Sequence, residues 1–202
     1  MNRTLVYYNE NAEQYIQDTA NVEFSKTQNT FLDRLHSGAS VLDFGCGSAR
    51  DVKYFIERGF KVEAIDGSIE LCDRASKYTG IKVKCMLFQE LDEIGKYDGI
   101  WACSSILHLS KEELKIVLRK MSRALKDNGI IYTSFKYSEF EGERNGRYFT
   151  DFTEEEFGEF LIDLLEIEIE EQWITGDVRP DRGDERWLNI ILRKKWKWVW
   201  KI

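Results

Sequence analysis

Between residues 40 and 135, short apolar runs alternate with segments whose apolar residues recur every three or four positions. Val41-Leu42-Asp43-Phe44 reads as a buried strand that ends on Gly45-Cys46-Gly47. Residues 49–58 then read as a helix with Val52, Phe55 and Ile56 on one face, closed by Gly59. The alternation continues with a strand at 61–65, a helix at 68–78 with Ser68 as its N-cap, and strands at 81–87 and 97–103. Ser110-Lys111-Glu112-Glu113 has the spacing of a capping box and opens a helix that runs through Leu125. Asp127-Asn128-Gly129 turns the chain into a strand at 130–135. Such alternation predicts an α/β fold, a mostly parallel sheet with helices on both faces.

The flanks differ. Residues 9–36 carry Tyr15, Ile16, Val22, Phe24, Phe31, Leu32 and Leu35 at helical spacing, and Ser37-Gly38 ends the pattern. Thr153 opens a helix to about Leu164, and residues 165–174 alternate Leu and Ile with Glu166, Glu168 and Glu170, as a half-exposed strand does. Residues 186–193 form a last apolar run, and the short connection predicts that these two strands pair antiparallel.

The chain has 202 residues, the size of one domain. No apolar run reaches the roughly 20 residues of a membrane span, and residues 1–10 lack the apolar stretch of a secretory leader. The expectation is a soluble, cytoplasmic protein with reduced thiols. Four cysteines without close spacing and only two histidines argue against a zinc cage, so no metal is expected. The net charge of −7 disfavours non-specific contact with nucleic acid or an anionic membrane. The basic and aromatic end, residues 194–201, is read as a strand extension packing its tryptophans, with membrane-surface or nucleic-acid contact as the alternatives.

The chemistry concentrates at Gly45-Cys46-Gly47. Glycines at a strand-to-helix turn let the backbone approach a ligand, and Asp66, at the end of the next strand, is placed to accept both hydroxyls of a ribose. Two features are unexpected for a dinucleotide site. Ala49 stands two residues after Gly47 where a third glycine is wanted, and the acid Asp43 suits a cationic amine better than a pyrophosphate.

With these residues the chain resembles the class I methyltransferases that use S-adenosylmethionine (SAM). Residues 41–47 match the family's first motif, 62–68 its second, 97–103 its fourth strand, and 125–130 the lead-in to its fifth. The Gly-Ser-Ala-Arg stretch ending at Arg50 is similar to small-molecule members of the tellurite-resistance and thiopurine types. The resemblance implies a single Rossmann-like domain over residues 1–202, with seven strands, the last antiparallel and inserted between the fifth and sixth. It implies an N-terminal helical lid at 1–36 carrying Tyr7, Tyr8 and Tyr15, and a cap segment on the substrate side at 136–152. It places Gly45 and Gly47 along the methionine part of SAM and Asp43 towards its amino acid end, with Tyr15, Cys46 and Arg50 as further cofactor-binding residues. Asp66 would hold the ribose, with Gly67, Ser68 and Ile69 beside the adenosine. Phe88, Gln89 and Glu90 match the adenine-contacting stretch, and Cys103, Ser104 and His108 follow the fourth strand towards the reacting end.

SAM carries its own leaving group, so a base is needed only for an acceptor that must lose a proton. His108 is the candidate, against a reading as packing behind the cofactor. Residues 139–171 hold 13 acids against Arg144 and Arg147, so Arg147 stands out beside Tyr148 and Phe149. Lys136 and Arg147 are assigned to an anionic acceptor, with Arg50, Arg179, Arg182 and Arg186 as further forks. The competing reading pairs Arg147 with Asp151 or Glu143. The expected function is methyl transfer to a small, anionic molecule. The alternatives are a tRNA or nucleotide methyltransferase and a non-catalytic SAM-binding regulator. Asp43 and Ala49 oppose a nicotinamide oxidoreductase.

Overall fold

The structure, a computed structural model, describes residues 2–179 and 182–195. Its centre is a seven-stranded sheet. The strands are β1 (Ser40–Phe44), β2 (Lys61–Asp66), β3 (Lys84–Cys85), β4 (Tyr97–Ala102) and β5 (Leu125–Lys136), followed after a hairpin by β8 (Ile167–Gly176) and β9 (Arg186–Lys194). The hairpin is β6 (Glu141–Arg144) with β7 (Arg147–Thr150), an antiparallel ladder turned by Asn145 and Gly146, both at positive φ. The order across the sheet is β3-β2-β1-β4-β5-β9-β8, and β9 alone runs antiparallel to its neighbours. The mostly parallel α/β sheet read from the sequence, and the seven strands that the resemblance implies, are therefore observed.

The helices are α1 (Arg3–Glu10), α2 (Ala12–Thr19), α3 (Ser25–Leu32), α4 (Arg50–Glu57), α5 (Ile69–Thr79), α6 (Lys111–Ala124) and α7 (Glu154–Leu161). No helix among the described residues is long and apolar enough to cross a membrane. Ser68, Ser110 and Thr153 cap α5, α6 and α7 through their hydroxyls, the last two with a glutamate three residues on completing a capping box.

One face of the sheet packs Phe44, Ile100, Leu118, Met121 and Phe157 under α6 and α7, and the other packs Phe31, Phe55, Trp101 and Tyr132 under α3 and α4. Trp101 stacks on Tyr132 with ring centroids 4.0 Å apart. Gly99 of β4 admits Phe31 so closely that a Cβ there would lie 2.6 Å from its ring.

Three expectations need correction. The helical segment 9–36 is not continuous. Asn11 leaves helical geometry between α1 and α2, and residues 21–24 form an irregular link in which Val22 and Phe24 reach the functional cleft. The strand expected at 81–87 shrinks to Lys84–Cys85, because only that stretch finds a ladder partner on β2 at the sheet edge. The Asp127-Asn128-Gly129 turn is absorbed into β5 as an irregularity in its pairing with β4, with Asn128 at φ 64°. Most of the basic aromatic end, residues 196–202, lies outside the described residues.

Candidate functional site

The carboxyl ends of β1, β2, β4 and β5 open onto two adjoining cavities of about 80 and about 170 Å³. Ligands of open α/β sheets bind at this edge. The glycine turn lies between the two cavities. Gly45 has φ 91°, and a Cβ there would stand 2.5 Å from Cβ of Ser105. Ala49 takes φ 59° while fully buried, the left-handed conformation that a glycine adopts without strain.

The smaller cavity is lined by Asp66, Gly67, Leu71, Leu87, Phe88 and Gln89. Asp66 sits at its floor. Its Oδ2 accepts the Gly47 N–H and its Oδ1 the Ser68 N–H, both at 2.9 Å. Burial pushes this carboxyl above its usual value, and the backbone amides act against that. Phe88 lies on Phe44, with centroids 4.8 Å apart, and offers an apolar wall. Gln89 reaches the cavity while its amide donates to Glu113. Glu90 does not line it, since its carboxylate turns back to accept the Leu87 N–H. Ser68 is fully buried and spent on capping α5 and on donating to Asn9. Asp43 lines neither cavity. It is buried beneath the turn, its Oδ2 finds no partner, and burial followed by the Asp51 charge raises its carboxyl well above the usual range.

The N-terminal helices pack onto these glycines. A Cβ on Gly47 would stand 2.9 Å from the Tyr15 ring, and one on Gly67 would stand 2.7 Å from Leu5. Helix α1 is tied down at three further points. Thr4 Oγ1 accepts the Tyr148 N–H at 3.1 Å, Asn9 accepts from Ser68 at 2.7 Å, and the Tyr8 hydroxyl meets His108 Nε2 at 2.8 Å.

His108 has both ring nitrogens engaged. Nδ1 lies 2.6 Å from the Tyr148 carbonyl, which can only accept, so Nδ1 carries the proton. Nε2 is then the acceptor for the Tyr8 hydroxyl. Burial holds the imidazole down at about 4; the Tyr148 carbonyl opposes this, and Arg147 and Arg144 reinforce it. His108 and Tyr8 each line both cavities, and the proton-accepting nitrogen of His108 is already bonded to Tyr8, an arrangement that fits the packing reading.

The larger cavity is walled by Tyr8, Tyr15, Phe24, Phe149 and Trp187, with Cys46, Cys103 and Ser104 at its floor. Burial, then the Asp51 charge, pushes the Cys103 thiol up to about 12, so it is protonated at neutral pH. Ser104 takes φ 50° and donates its N–H to Ser134 Oγ at 2.9 Å. Arg50 is fixed by Asp51 through two bonds of 2.8 and 2.9 Å, and Asp51 also accepts from Gln28 and Trp101. Burial opposes the Arg50 charge, and the Asp51 carboxylate outweighs it.

The cations of this cavity differ in one respect. Lys136, assigned above to the acceptor, is ion-paired with Glu185 over the Trp187 ring and is not a free clamp. Arg144 holds Asp151, Arg179 holds Asp177, and Arg182 shares Glu185. Arg186 is exposed and outside the cavity. Arg147 has no carboxylate partner among the described residues. Asp151 is taken by Arg144 and Glu143 by Arg3, which removes both competing partners. The Arg147 guanidinium lies 4.2 Å from the Tyr7 ring centroid and 5.1 Å from that of Phe149, and its buried Nε has no acceptor.

Several supporting residues carry no sequence signal: Gln28 and Trp101 behind Arg50, and Asn9 on Ser68. Asp177 is different, because an acid two residues before Arg179 at a strand end is an Asx-turn pattern, and its carboxylate does accept the Arg179 N–H at 2.9 Å.

Residues 41–129 match the family described as "Methyltransferase domain". Over 99 residues the chain is 34% identical to the N-terminal Xaa-Pro-Lys N-methyltransferase 1-B of Xenopus laevis, a match covering 45% of this chain and 44% of that protein. The chain thus spans less than half the length of this curated relative. Among solved structures, the 1,6-didemethyltoxoflavin-N1-methyltransferase of Burkholderia thailandensis, with its acceptor and S-adenosylhomocysteine bound, superposes with a TM-score of 0.76. It is 23% identical and covers 95% of this chain and 85% of that one. The magnesium protoporphyrin IX methyltransferase of Synechocystis PCC 6803, also with S-adenosylhomocysteine, gives 0.69 at 18% identity, covering 94% and 97%. These two likenesses speak to the fold.

Proposed function

We propose that this chain is a class I SAM-dependent methyltransferase that transfers the SAM methyl group to a small anionic acceptor. The observation that carries the cofactor half is the Asp66 carboxylate, which holds the Gly47 amide while facing the smaller cavity. The residues suit SAM. Asp66 has lone pairs left for ribose hydroxyls, and Leu71, Leu87 and Phe88 form an apolar wall for a base. When bound, SAM supplies an activated methyl group and a neutral leaving group. The protein orients, excludes water and holds charge. Residues 1–36 act as the lid, with Tyr15 over Gly47 and Leu5 over Gly67, and the β6–β7 hairpin within 136–152 acts as the cap.

The acceptor half rests on charge. Six cations line or edge the larger cavity: Arg50, Lys136, Arg144, Arg147, Arg179 and Arg182. Four carboxylates answer them: Asp51, Asp151, Asp177 and Glu185. Among the described residues two positive charges are left over, in a chain whose net charge is −7. A protonated amine, such as the peptide N-terminus in the Xenopus relative's name, is repelled there. A carboxylate or phosphate meets the Arg147 fork, strengthened by the low dielectric of its aromatic walls.

The test is release of S-adenosylhomocysteine from isotopically labelled SAM over a panel of small carboxylates, phosphates and amines. Turnover confined to anionic acceptors is expected. Turnover of cationic amines alone overturns the acceptor reading, and binding of NAD without SAM overturns the cofactor reading.

A further inference from the structure

Two cysteines behind the smaller cavity take no part in the function above. Cys85 of β3 is exposed, and its Cα is the ladder partner of Asp66 on β2. Cys72 lies in the first turns of α5, and its thiol donates to the Asp66 carbonyl at 3.3 Å. The Cys85 thiol reaches the next carbonyl, that of Gly67, at 3.9 Å. Both sulfurs thus converge on the peptide that carries the proposed ribose ligand. Burial pushes the Cys72 thiol up, the Asp66 charge adds to this, and the Cys85 thiol is a direct side-chain neighbour that adds more.

We propose that Cys72 and Cys85 form a reversible disulfide that couples exposure to a peroxide with occupancy of the cofactor pocket. Cys85 is the attacking residue because it is the exposed one. Its thiolate displaces hydroxide from hydrogen peroxide: an S–O bond forms, the O–O bond breaks, and the hydroxide takes up a proton to leave as water. The Cys72 thiolate then attacks that sulfur; the S–S bond forms, the S–O bond breaks, and a second water leaves. Two thiols lose two protons and two electrons, and one peroxide becomes two waters. Because the Cys72 thiol is raised, the second step is the slow one and quickens as pH rises.

The bond has a structural consequence. To form it, both sulfurs leave the Asp66 and Gly67 carbonyls, and α5 becomes tethered to the edge strand β3. The Ser68 cap and the Asp66 carboxylate, joined by the Ser68 N–H, lie between the tethered elements. Oxidation therefore shifts the ribose-holding group and weakens nucleoside binding. This consequence rests on the cofactor reading above; the disulfide itself does not.

The test treats the full chain with hydrogen peroxide, blocks free thiols, and maps the digest by mass. A Cys72–Cys85 linked peptide that disappears on treatment with dithiothreitol is expected. Calorimetry with S-adenosylhomocysteine should show affinity weakened about threefold or more after oxidation, and restored by reductant. Cys85→Ser should bind it as the reduced protein does and lose the response to peroxide. A linked peptide joining Cys72 to Cys46, over-oxidation of Cys85 without linkage, or a formed disulfide with unchanged affinity each overturns the proposal. Reduced protein that does not bind S-adenosylhomocysteine sinks the cofactor reading and the coupling with it, while the linked peptide still decides the thiol pair.

Discussion

The Tyr8–His108 contact ties α1 to the site, and it predicts how the protein responds to acid. His108 lies buried between the Tyr148 carbonyl and the Tyr8 hydroxyl, with Arg147 and Arg144 near, and it is held at about 4 against an ordinary 6.5. Above pH 6.5 the folded and unfolded chains both keep the ring neutral, and the group does not affect stability. As pH falls from 6.5 towards 4, the unfolded chain binds a proton that the folded chain refuses, so stability falls, by about 3 kcal/mol once both are protonated. Asp43 and Asp66 contribute the opposite slope. Burial raises both, so the folded chain keeps protons that the unfolded one has released, and their contribution is lost as pH rises above the usual carboxylate range. A stability curve mixes these effects, and NMR separates them. With only two histidines, the His36→Asn protein shows His108 alone. Its midpoint should lie near pH 4, with the proton on Nδ1. Tyr8→Phe removes the donor to Nε2, should move the midpoint upwards, and should cost about 1–3 kcal/mol by leaving a buried acceptor unmet. A midpoint near 6.5, or a proton on Nε2, would refute the buried, Tyr8-bound imidazole and with it the latch on α1.

Three further predictions concern the turn, the ribose and the acceptor. Gly45→Ala brings a Cβ within 2.5 Å of Ser105 at φ 91°, and thermal denaturation should show a loss of at least about 1–3 kcal/mol; an unchanged Tm would contradict the close approach. Asp66→Asn sets an amide NH2 against one of two backbone N–H groups, and calorimetry should show SAM binding weakened by about 1.5–3 kcal/mol; unchanged affinity in the folded variant excludes Asp66 as the ribose ligand. Arg147→Lys should leave affinity for S-adenosylhomocysteine intact while lowering acceptor kcat/KM by about tenfold or more, because an ammonium cannot reproduce a guanidinium fork; near-normal kcat/KM returns Arg147 to a structural role.

The sheet was legible because its strands are buried on both faces. β1, β4 and β5 carry short, mostly apolar stretches, and glycine or an N-cap serine marks most of their boundaries. The edge strand β3 was overread, since Ile81 and Val83 face α5 without a ladder partner, and apolar spacing does not distinguish packing from pairing. The N-terminal segment was overread in the opposite sense. Its apolar residues keep helical spacing across Asn11 and across 21–24, because separate short helices each bury a single face, α1 and α2 over the cleft and α3 on the sheet.

For the candidate site, sequence pattern brought out the backbone-borne part and missed the charge pairing. Gly45, Gly47 and Asp66 stand out because their roles depend on φ, on a missing Cβ and on a strand end, all local properties. Which cation is free is not a local property. Lys136 and Arg147 looked alike in sequence, one leaving β5 and the other amid acids. Lys136 is met by Glu185, 49 positions away, while the acids nearest Arg147 are drawn off by Arg144 and by Arg3, which α1 brings across. The hairpin explains this outcome. Arg144 and Arg147 are ladder partners across the Asn145-Gly146 turn, yet Arg144 turns towards Asp151 and Arg147 towards Tyr7 and the cleft. An arginine left without a carboxylate among the described residues, in a segment this acidic, is a consequence of topology, which is why the proposal of an anionic acceptor rests on the fold and not on composition.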